Sequence, residues 1–397
     1  MEIQKQKRVI DNYYFPEEII DKILLKLPVK DLIRCSAVCK LWNFLVKTPT
    51  FIQTHLNNQT TAGDVSGLLL LISSESNALH WDNPASLFGQ YSKLLHPIDN
   101  NKNSCWTKNR GSKVVGTCNG LVCLAVSSSY IDPCPPVILW NPSIRKFGFL
   151  PSPSRAVKCF LNESYSLCYD SRIGDYKVVR IFMEPDPEVE VEVWSLARGT
   201  WKSLSNVPPD FYPDTSRKVF VNGAFHWVNY PRRRTELEEM EDFTASVVAL
   251  DMVDESFRNV EIPQAFWGNR PRPLMISRYY GDGDQFWLAL FDPQGDSCFD
   301  LWVMKEYGVA ESWTKLFNVR LLGSLEEKPY CIEPLGLTKS GQVVVRYDRN
   351  GEFISYKFYD PEDKQFRDFG NQGDHYYYMD SFVESLVLLG QTNVFSY

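Results

Sequence analysis

The sequence predicts a small all-α module followed by a large all-β ring, a propeller of about six four-stranded blades. Three observations carry that prediction. Apolar residues recur at the helical period up to about residue 57. Beyond it the chain changes to short apolar runs separated by Gly, Pro, Asn and Asp, with Trp, Tyr and Phe frequent, which is the composition of strands and tight turns. Aromatic residues that follow a strand and a polar turn then recur at Phe147, Trp201, Phe257, Trp313 and Phe366, spacings of 54, 56, 56 and 53 residues.

The helical part comes first. Ile19, Ile20, Ile23, Leu24 and Leu27 give an apolar stripe to a helix starting near Phe15. Pro16 falls where no intrahelical N–H is lost, and Glu17 and Glu18 suit the positive N-terminal end. Pro28 stops this helix at Leu27. A second opens at Lys30-Asp31-Leu32-Ile33 and continues its apolar positions through Cys35 and Val38 to Cys39, and a third carries Trp42, Leu45 and Val46. Three such helices, in about 40 residues, bury little surface. Their apolar excess points to a partner.

Phe15-Pro16, then Leu27-Pro28, then Val38-Cys39-Lys40-Leu41-Trp42 stand in the order of an F-box, which this segment resembles. The departure is Phe15, where the family more often has Leu. The resemblance implies docking onto the Skp-type adaptor of an SCF (Skp, cullin, F-box) ubiquitin ligase, and through it onto cullin. It implies adaptor-binding roles for Phe15, Pro16, Ile20, Leu24, Leu27, Pro28, Leu32, Val38, Cys39 and Trp42, in a domain spanning 10–57.

Composition narrows the partners. A net charge of −7 argues against nucleic acid, since binding phosphates needs a basic face. Ten cysteines are scattered singly, and Cys35 and Cys39, one helical turn apart with no His beside them, read as small core residues rather than metal ligands. The charged start, Met1 to Arg8, is unlike a signal peptide, and the longest apolar run, Leu68 to Ile72, is too short to span a bilayer. The expectation is a soluble protein of a reducing compartment, cytoplasmic or nuclear, with no membrane partner.

The β region, 62–397, follows. Its strand candidates include Gly67 to Ile72, Gly120 to Val126, Val137 to Trp140, Tyr176 to Ile181, Val189 to Trp194, Val219 to Val228, Ser246 to Leu250, Phe286 to Phe291, Leu301 to Met304, Val343 to Tyr347 and Phe353 to Phe358. The aromatic repeat has about the period of kelch-type blades. Each unit reads as an outer hairpin closed by an Asn or Asp turn, with the aromatic packed between neighbouring blades. Leu121 to Leu124 and Ala224 to Trp227, each after an Asn-Gly pair, read as inner strands. The run Val383 to Leu389 is expected to pair beside Leu68 to Ile72 and close the ring.

This region also resembles the F-box-associated domain of plant F-box/kelch-repeat proteins, S-locus F-box proteins among those of the same plan. The resemblance rests on Cys118-Asn119-Gly120-Leu121-Val122-Cys123, Leu139-Trp140-Asn141-Pro142-Ser143-Ile144-Arg145-Lys146-Phe147, Tyr169-Asp170 with Asp175-Tyr176-Lys177-Val178-Val179-Arg180, and Glu384-Ser385-Leu386-Val387.

A search for chemistry returns little. The five histidines, His55, His80, His96, His226 and His375, form no ligand pair, and Asp282-Gly283-Asp284 lacks the rest of a calcium loop. No nucleophile elbow, phosphate-cradling loop or dinucleotide fingerprint is present. No cofactor is expected. Two charged loops stand out: Glu184 to Glu188, and Arg232-Arg233-Arg234 followed by Glu236, Glu238, Glu239, Glu241 and Asp242. Loop insertions of a propeller gather on its faces, so Arg232, Arg233, Arg234, Glu236 and Glu238 are candidates for reading a target protein. The expected function is a non-catalytic receptor that brings a target to a ubiquitin ligase. The alternatives are a propeller enzyme with an accessory helical domain, or an adaptor-bound scaffold acting outside ubiquitination.

Overall fold

The computed structural model describes residues 16–61, 67–73, 77–82, 91–93, 112–126, 136–153, 163–183, 189–230, 245–266, 273–281, 285–295, 298–320, 331–349, 353–368, 376–389, 391 and 393–396. Helices come first: α1 (Glu17–Leu24), α2 (Val29–Cys35), α3 (Lys40–Leu45) and α4 (Pro49–Thr61). Pro16 precedes α1 with Glu17 and Glu18 in its first turn, and Pro28 precedes α2. The second helix ends earlier than its apolar pattern suggests, at Cys35, so that Val38 and Cys39 lie in the link to α3. Helix α4 was not legible as a separate element.

Six sheets follow among the described residues, five of four strands and one of five. The chain runs through β1 (Gly67–Ser73), β2 (Asn77–Asp82) and β3 (Tyr91–Lys93), which belong to the closing blade. Blade 1 holds β4 (Ser112–Cys118), β5 (Leu121–Val126), β6 (Val137–Asn141) and β7 (Lys146–Phe149); blade 2 holds β8 (Glu163–Asp170), β9 (Asp175–Met183), β10 (Val189–Ser195) and β11 (Trp201–Ser203). Blade 3 holds β12 (Val219–Val221), β13 (Ala224–Asn229), β14 (Ser246–Asp251) and β15 (Phe257–Val260). Blade 4 holds β16 (Met275–Tyr280), β17 (Phe286–Pro293), β18 (Cys298–Met304) and β19 (Trp313–Arg320). Blade 5 holds β20 (Cys331–Leu337), β21 (Val343–Arg349), β22 (Phe353–Asp360) and β23 (Gln365–Asp368), before β24 (Tyr376–Phe382) and the short β25 (Phe395–Ser396).

Every blade is an antiparallel meander, and the first strands touch around the ring, β4 against β8, β12 against β16, β16 against β20, and β20 and β4 against β24. The recurring aromatics fall in the fourth strands. Phe147, Trp201, Phe257, Trp313 and Phe366 pair across to Trp140, Trp194, Leu250, Met304 and Tyr359, all at or next to the end of the third strand. Two of them also reach the preceding blade: Trp201 Nε1 donates to Pro151 O at 2.7 Å and Trp313 Nε1 to Glu261 O at 2.9 Å.

Leu121 to Leu124 and Ala224 to Trp227 lie in β5 and β13, the second strands, and so in the inner half of their blades. The Asn119-Gly120 and Asn222-Gly223 pairs are the turns that lead into them, with φ of 51° and 76° in the first and 51° and 77° in the second, the left-handed pair of a tight hairpin. One expectation needs correction: closure is made by a different segment. Strand β24 pairs antiparallel with β1, Leu68 opposite Phe382 and Leu71 opposite Met379, so the ring is closed by Tyr376 to Phe382. Val383 to Leu389 turns away from the sheet, because it carries a second job described below.

Candidate partner-binding surfaces

The meander gives the ring two unlike faces. Turns from first to second and from third to fourth strands lie at one face, which we call the turn face. The longer connections, from second to third strands and from each blade to the next, lie at the other, the loop face. Turns of neighbouring blades are stitched together: Arg172, in the β8–β9 turn, donates to Asp170, to Gly223 O and to Asp251 of the next blade. Beside it, Lys177 donates to Met252 O and Glu255 gathers Lys177, Lys202 and Arg198.

The helices stand on the turn face. Leu24, Val29, Leu32, Val46 and Phe51 are buried together with Leu386 and Leu389 of the C-terminal segment, and Ile144 from the β6–β7 turn packs against them. Tyr169, near the end of β8, donates its hydroxyl to Gln53 of α4 at 3.1 Å. Buried Asn141 secures the same segment to the ring, its Nδ2 donating to Ser385 O at 3.0 Å and Val387 O at 2.8 Å. Gly120 leaves room for that segment, since a Cβ there would meet Ser385 Oγ and Val383 O at 2.5 Å. Within the helical module His55 is fully buried, stacked on Phe51 and hydrogen-bonded through Nε2 to Leu27 O at 2.9 Å, and burial pushes its imidazole below its ordinary pKa.

In the helical module four large apolar side chains are left open: Ile19 at 43%, Ile23 at 53%, Val38 at 65% and Phe44 at 67% exposure. Ile19 and Ile23, four residues apart, share one face of α1. Such a group costs solubility unless something covers it.

The structure divides the sequence-predicted adaptor residues three ways. Leu24 and Leu32 are fully buried in the module's own core, so they act through its fold and offer no surface. Ile20, Leu27 and Trp42 are half-buried at the edge of that core, while Pro16, Pro28, Val38 and Cys39 are exposed; Phe15 lies outside the described residues. Cys39 is therefore not a core residue: its sulfur caps α3, accepting from Trp42 N at 3.5 Å. Sequence reasoning named Ile19 and Ile23 in the stripe yet missed them and Phe44 as candidates. The available signal was the width of the apolar stripe on α1, which exceeds what one core contact uses.

The loop face carries the candidate target readers. Arg232, Arg233, Arg234, Glu236 and Glu238 lie outside the described residues, as does 184–188, but the strands they join are placed. Residues 231–244 connect β13 to β14, so they leave and re-enter at the loop face of blade 3. Their departure point is braced: Asn229 accepts from Tyr212 N at 2.6 Å and donates to Asp210 O at 3.0 Å, and Pro213 bridges to Asn229.

Most charged groups near the axis are paired. Arg180 holds Glu163 at 2.6 Å and Glu192 at 2.7 Å, Glu333 takes Arg217 and Arg346, and Arg278 takes Asp380, which also accepts from Thr117 at 2.9 Å. His226 is buried in β13 with Nε2 2.7 Å from the Tyr307 hydroxyl, and burial drives its pKa down to about 4. Asp282 to Asp284, His96 and His375 lie outside the described residues. Among the described residues no group of three His, Cys, Asp or Glu is placed to hold a metal, and no helix is long and apolar enough to cross a membrane.

Comparison with known proteins agrees with this architecture. Residues 14–54 match the F-box domain, and residues 89–389 match the F-box associated beta propeller domain. The chain belongs to the F-box-associated β-propeller family. Among its relatives, the F-box protein CPR1 of Arabidopsis thaliana is 29% identical over 373 residues, covering 88% of this chain and 83% of that one. An F-box/kelch-repeat protein of the same plant is 25% identical, with 79% and 81% covered. Among solved structures, TolB from Acinetobacter baumannii has a TM-score of 0.42 at 14% identity, covering 84% of this chain and 68% of that one. A fucose-specific lectin from Aleuria aurantia scores 0.42 at 11% identity, with 77% and 95% covered.

Proposed function

We propose that this F-box protein is the non-catalytic substrate-recognition subunit of an SCF ubiquitin ligase. The observation that carries the reading is the exposure of Ile19, Ile23, Val38 and Phe44 in the F-box module, which stands at the face of the ring away from its long loops. The helices dock a Skp-type adaptor and through it cullin, with Pro16, Pro28 and Cys39 at the rim, Phe15, Ile20, Leu27 and Trp42 beside them, and Leu24 and Leu32 holding the shape. Each large apolar side chain covered by the adaptor contributes about 1.5–3 kcal/mol of transfer free energy before association costs.

The propeller, with blades of kelch-like period, holds the target protein on its loop face, where Arg232, Arg233, Arg234, Glu236 and Glu238 contribute. The work takes place in the cytoplasm or nucleus. Catalysis resides elsewhere in the complex; this subunit raises the local concentration of target lysines near the conjugating enzyme.

The test is reconstitution with a Skp-type adaptor. The full-length protein should co-purify with it, and Val38→Asp combined with Phe44→Asp should remove at least tenfold of the affinity with an unchanged melting temperature. Wild-type binding by that double variant would sink the assignment of the docking face.

A further inference from the structure

A part-buried lysine beside the first strands forms no ion pair among the described residues. Lys218 ends the blade 2 to blade 3 connection, immediately before β12, and so lies at the loop-face end of the first strands. Among the described residues it makes no ion pair; its Nζ reaches only Ser164 Oγ, at 3.4 Å, at the matching end of β8 in the neighbouring blade. Ser164 in turn donates to Thr215 O at 3.1 Å, which holds the serine between the two blades.

Among the described residues neither nearby carboxylate forms an ion pair with it. Glu163, next to Ser164, is taken by Arg180 and by the Tyr165 hydroxyl at 2.6 Å. Asp214 lies close enough to act on Lys218 but closes its own turn, its Oδ1 accepting from Ser216 N at 2.9 Å and from Ser216 Oγ at 2.5 Å. Burial lowers the ammonium to about 8, so it is still charged at neutral pH. A half-buried ammonium that keeps its charge beside a single hydroxyl has lost much of its water for one long contact, with the Asp214 carboxylate acting only from a distance.

We propose that Lys218 and Ser164 form an anion seat at the loop-face mouth of the ring, which takes a phosphate or carboxylate group. The ammonium supplies the charge and two of its three donors remain to be used; the Ser164 hydroxyl can turn from Thr215 O to donate to the incoming oxygen. The seat is on the same blade and face as the strands that launch residues 231–244, so an acidic group on a protein held by that loop would reach it. A small free anion has the same chemistry. The target-borne version rests on the receptor reading above; the seat itself does not.

The experiment uses the full-length chain labelled with [ε-13C]lysine, with the Lys218 resonance identified by its disappearance in Lys218→Met. Inorganic phosphate and acetate are titrated at constant ionic strength with chloride as control, followed by a short Gly/Ser peptide carrying one phosphoserine. The expected result is a saturable shift of the Lys218 resonance with phosphate, absent with chloride and weakened at least threefold in Ser164→Ala. A matching shift with the peptide marks a target-borne group, and a shift with free phosphate alone marks a small-ion seat; both support the proposal. A Lys218 resonance unmoved by phosphate, acetate and peptide overturns it. So does a resonance that moves only after Glu236, Glu238, Glu239 and Glu241 are changed to Gln, since the chain's own loop then fills the place. Adaptor binding measured on the same samples separates the two readings: retained adaptor binding with an unresponsive Lys218 removes the seat and leaves the receptor standing.

Discussion

Helix α1 is apolar on two adjoining faces, and the two do different work. Leu24 points into a core shared with Leu32, Val46 and Phe51, whereas Ile19 and Ile23 face outward. Leu32→Ala should therefore cost about 2–5 kcal/mol through the cavity it leaves. Phe44→Ala should change stability by no more than about 0.5 kcal/mol, as exposed substitutions do. Urea denaturation of the two variants measures both. His226 gives a pH signature. Its ordinary pKa of 6.5 is lowered to about 4, first by burial and also by the charge of Arg258, so the folded chain refuses a proton that the unfolded chain accepts. Stability is full above about pH 6.5 and falls as the pH drops toward 4, by at most roughly 3 kcal/mol from this residue. His226→Gln keeps a group able to bond Tyr307 and should flatten that part of the acid limb, seen as a smaller difference in urea midpoint between pH 7 and pH 5. His55, lowered by burial too, adds to the same limb and remains in the variant.

At the scale of elements, the C-terminal segment joins two domains that the sequence presents as separate. Strand β24 closes the ring, and the residues directly after it supply Leu386 and Leu389 to the core of the F-box helices. Two truncations separate these roles. Ending the chain after Phe382 keeps β24, so the ring should stay closed and monomeric while adaptor binding is lost with the F-box core. Ending it before Tyr376 should also bare the edge of β1, a template for pairing between chains, and give aggregates by light scattering. If both truncations aggregate alike, the division of labour is wrong. The misplaced closure has a physical cause. Val383 to Leu389 is apolar enough to be a strand, but it is apolar for helices, while Tyr376 to Phe382 carries Asp380 for a bond with Arg278 and does not read as a buried strand. The same reason hid β8 and β16, whose Glu163 and Arg278 serve polar partners near the axis, whereas the second and third strands, buried on both sides, were legible as apolar runs.

On the scale of the whole molecule, the repeat of aromatics in the fourth strands was enough to give the ring and its blade period, because each aromatic pairs to the end of its third strand and so recurs once per blade. The faces were not legible, since which connections share a side depends on strand order, and strand order depended on the first strands that the sequence hides. With the order known, the proposed adaptor and target surfaces fall on opposite sides of a ring whose blades are locked by Arg172, Asp251 and Glu255. That separation makes a sharp prediction about residues 231–244. The strand ends that flank them lie at the face opposite the helices, so reversing the charges of Arg232, Arg233, Arg234, Glu236 and Glu238 should leave adaptor affinity measured by calorimetry unchanged. Target ubiquitination in a reconstituted ligase should fall by the equivalent of about 1–3 kcal/mol, the range of a few interfacial charges, and the loss should shrink as salt screens them. A fall in adaptor affinity would mean that the loop reaches the helices and that the two-sided arrangement fails. Unchanged adaptor and target binding together would leave the loop a solvated turn and move target recognition to the other connections of the same face.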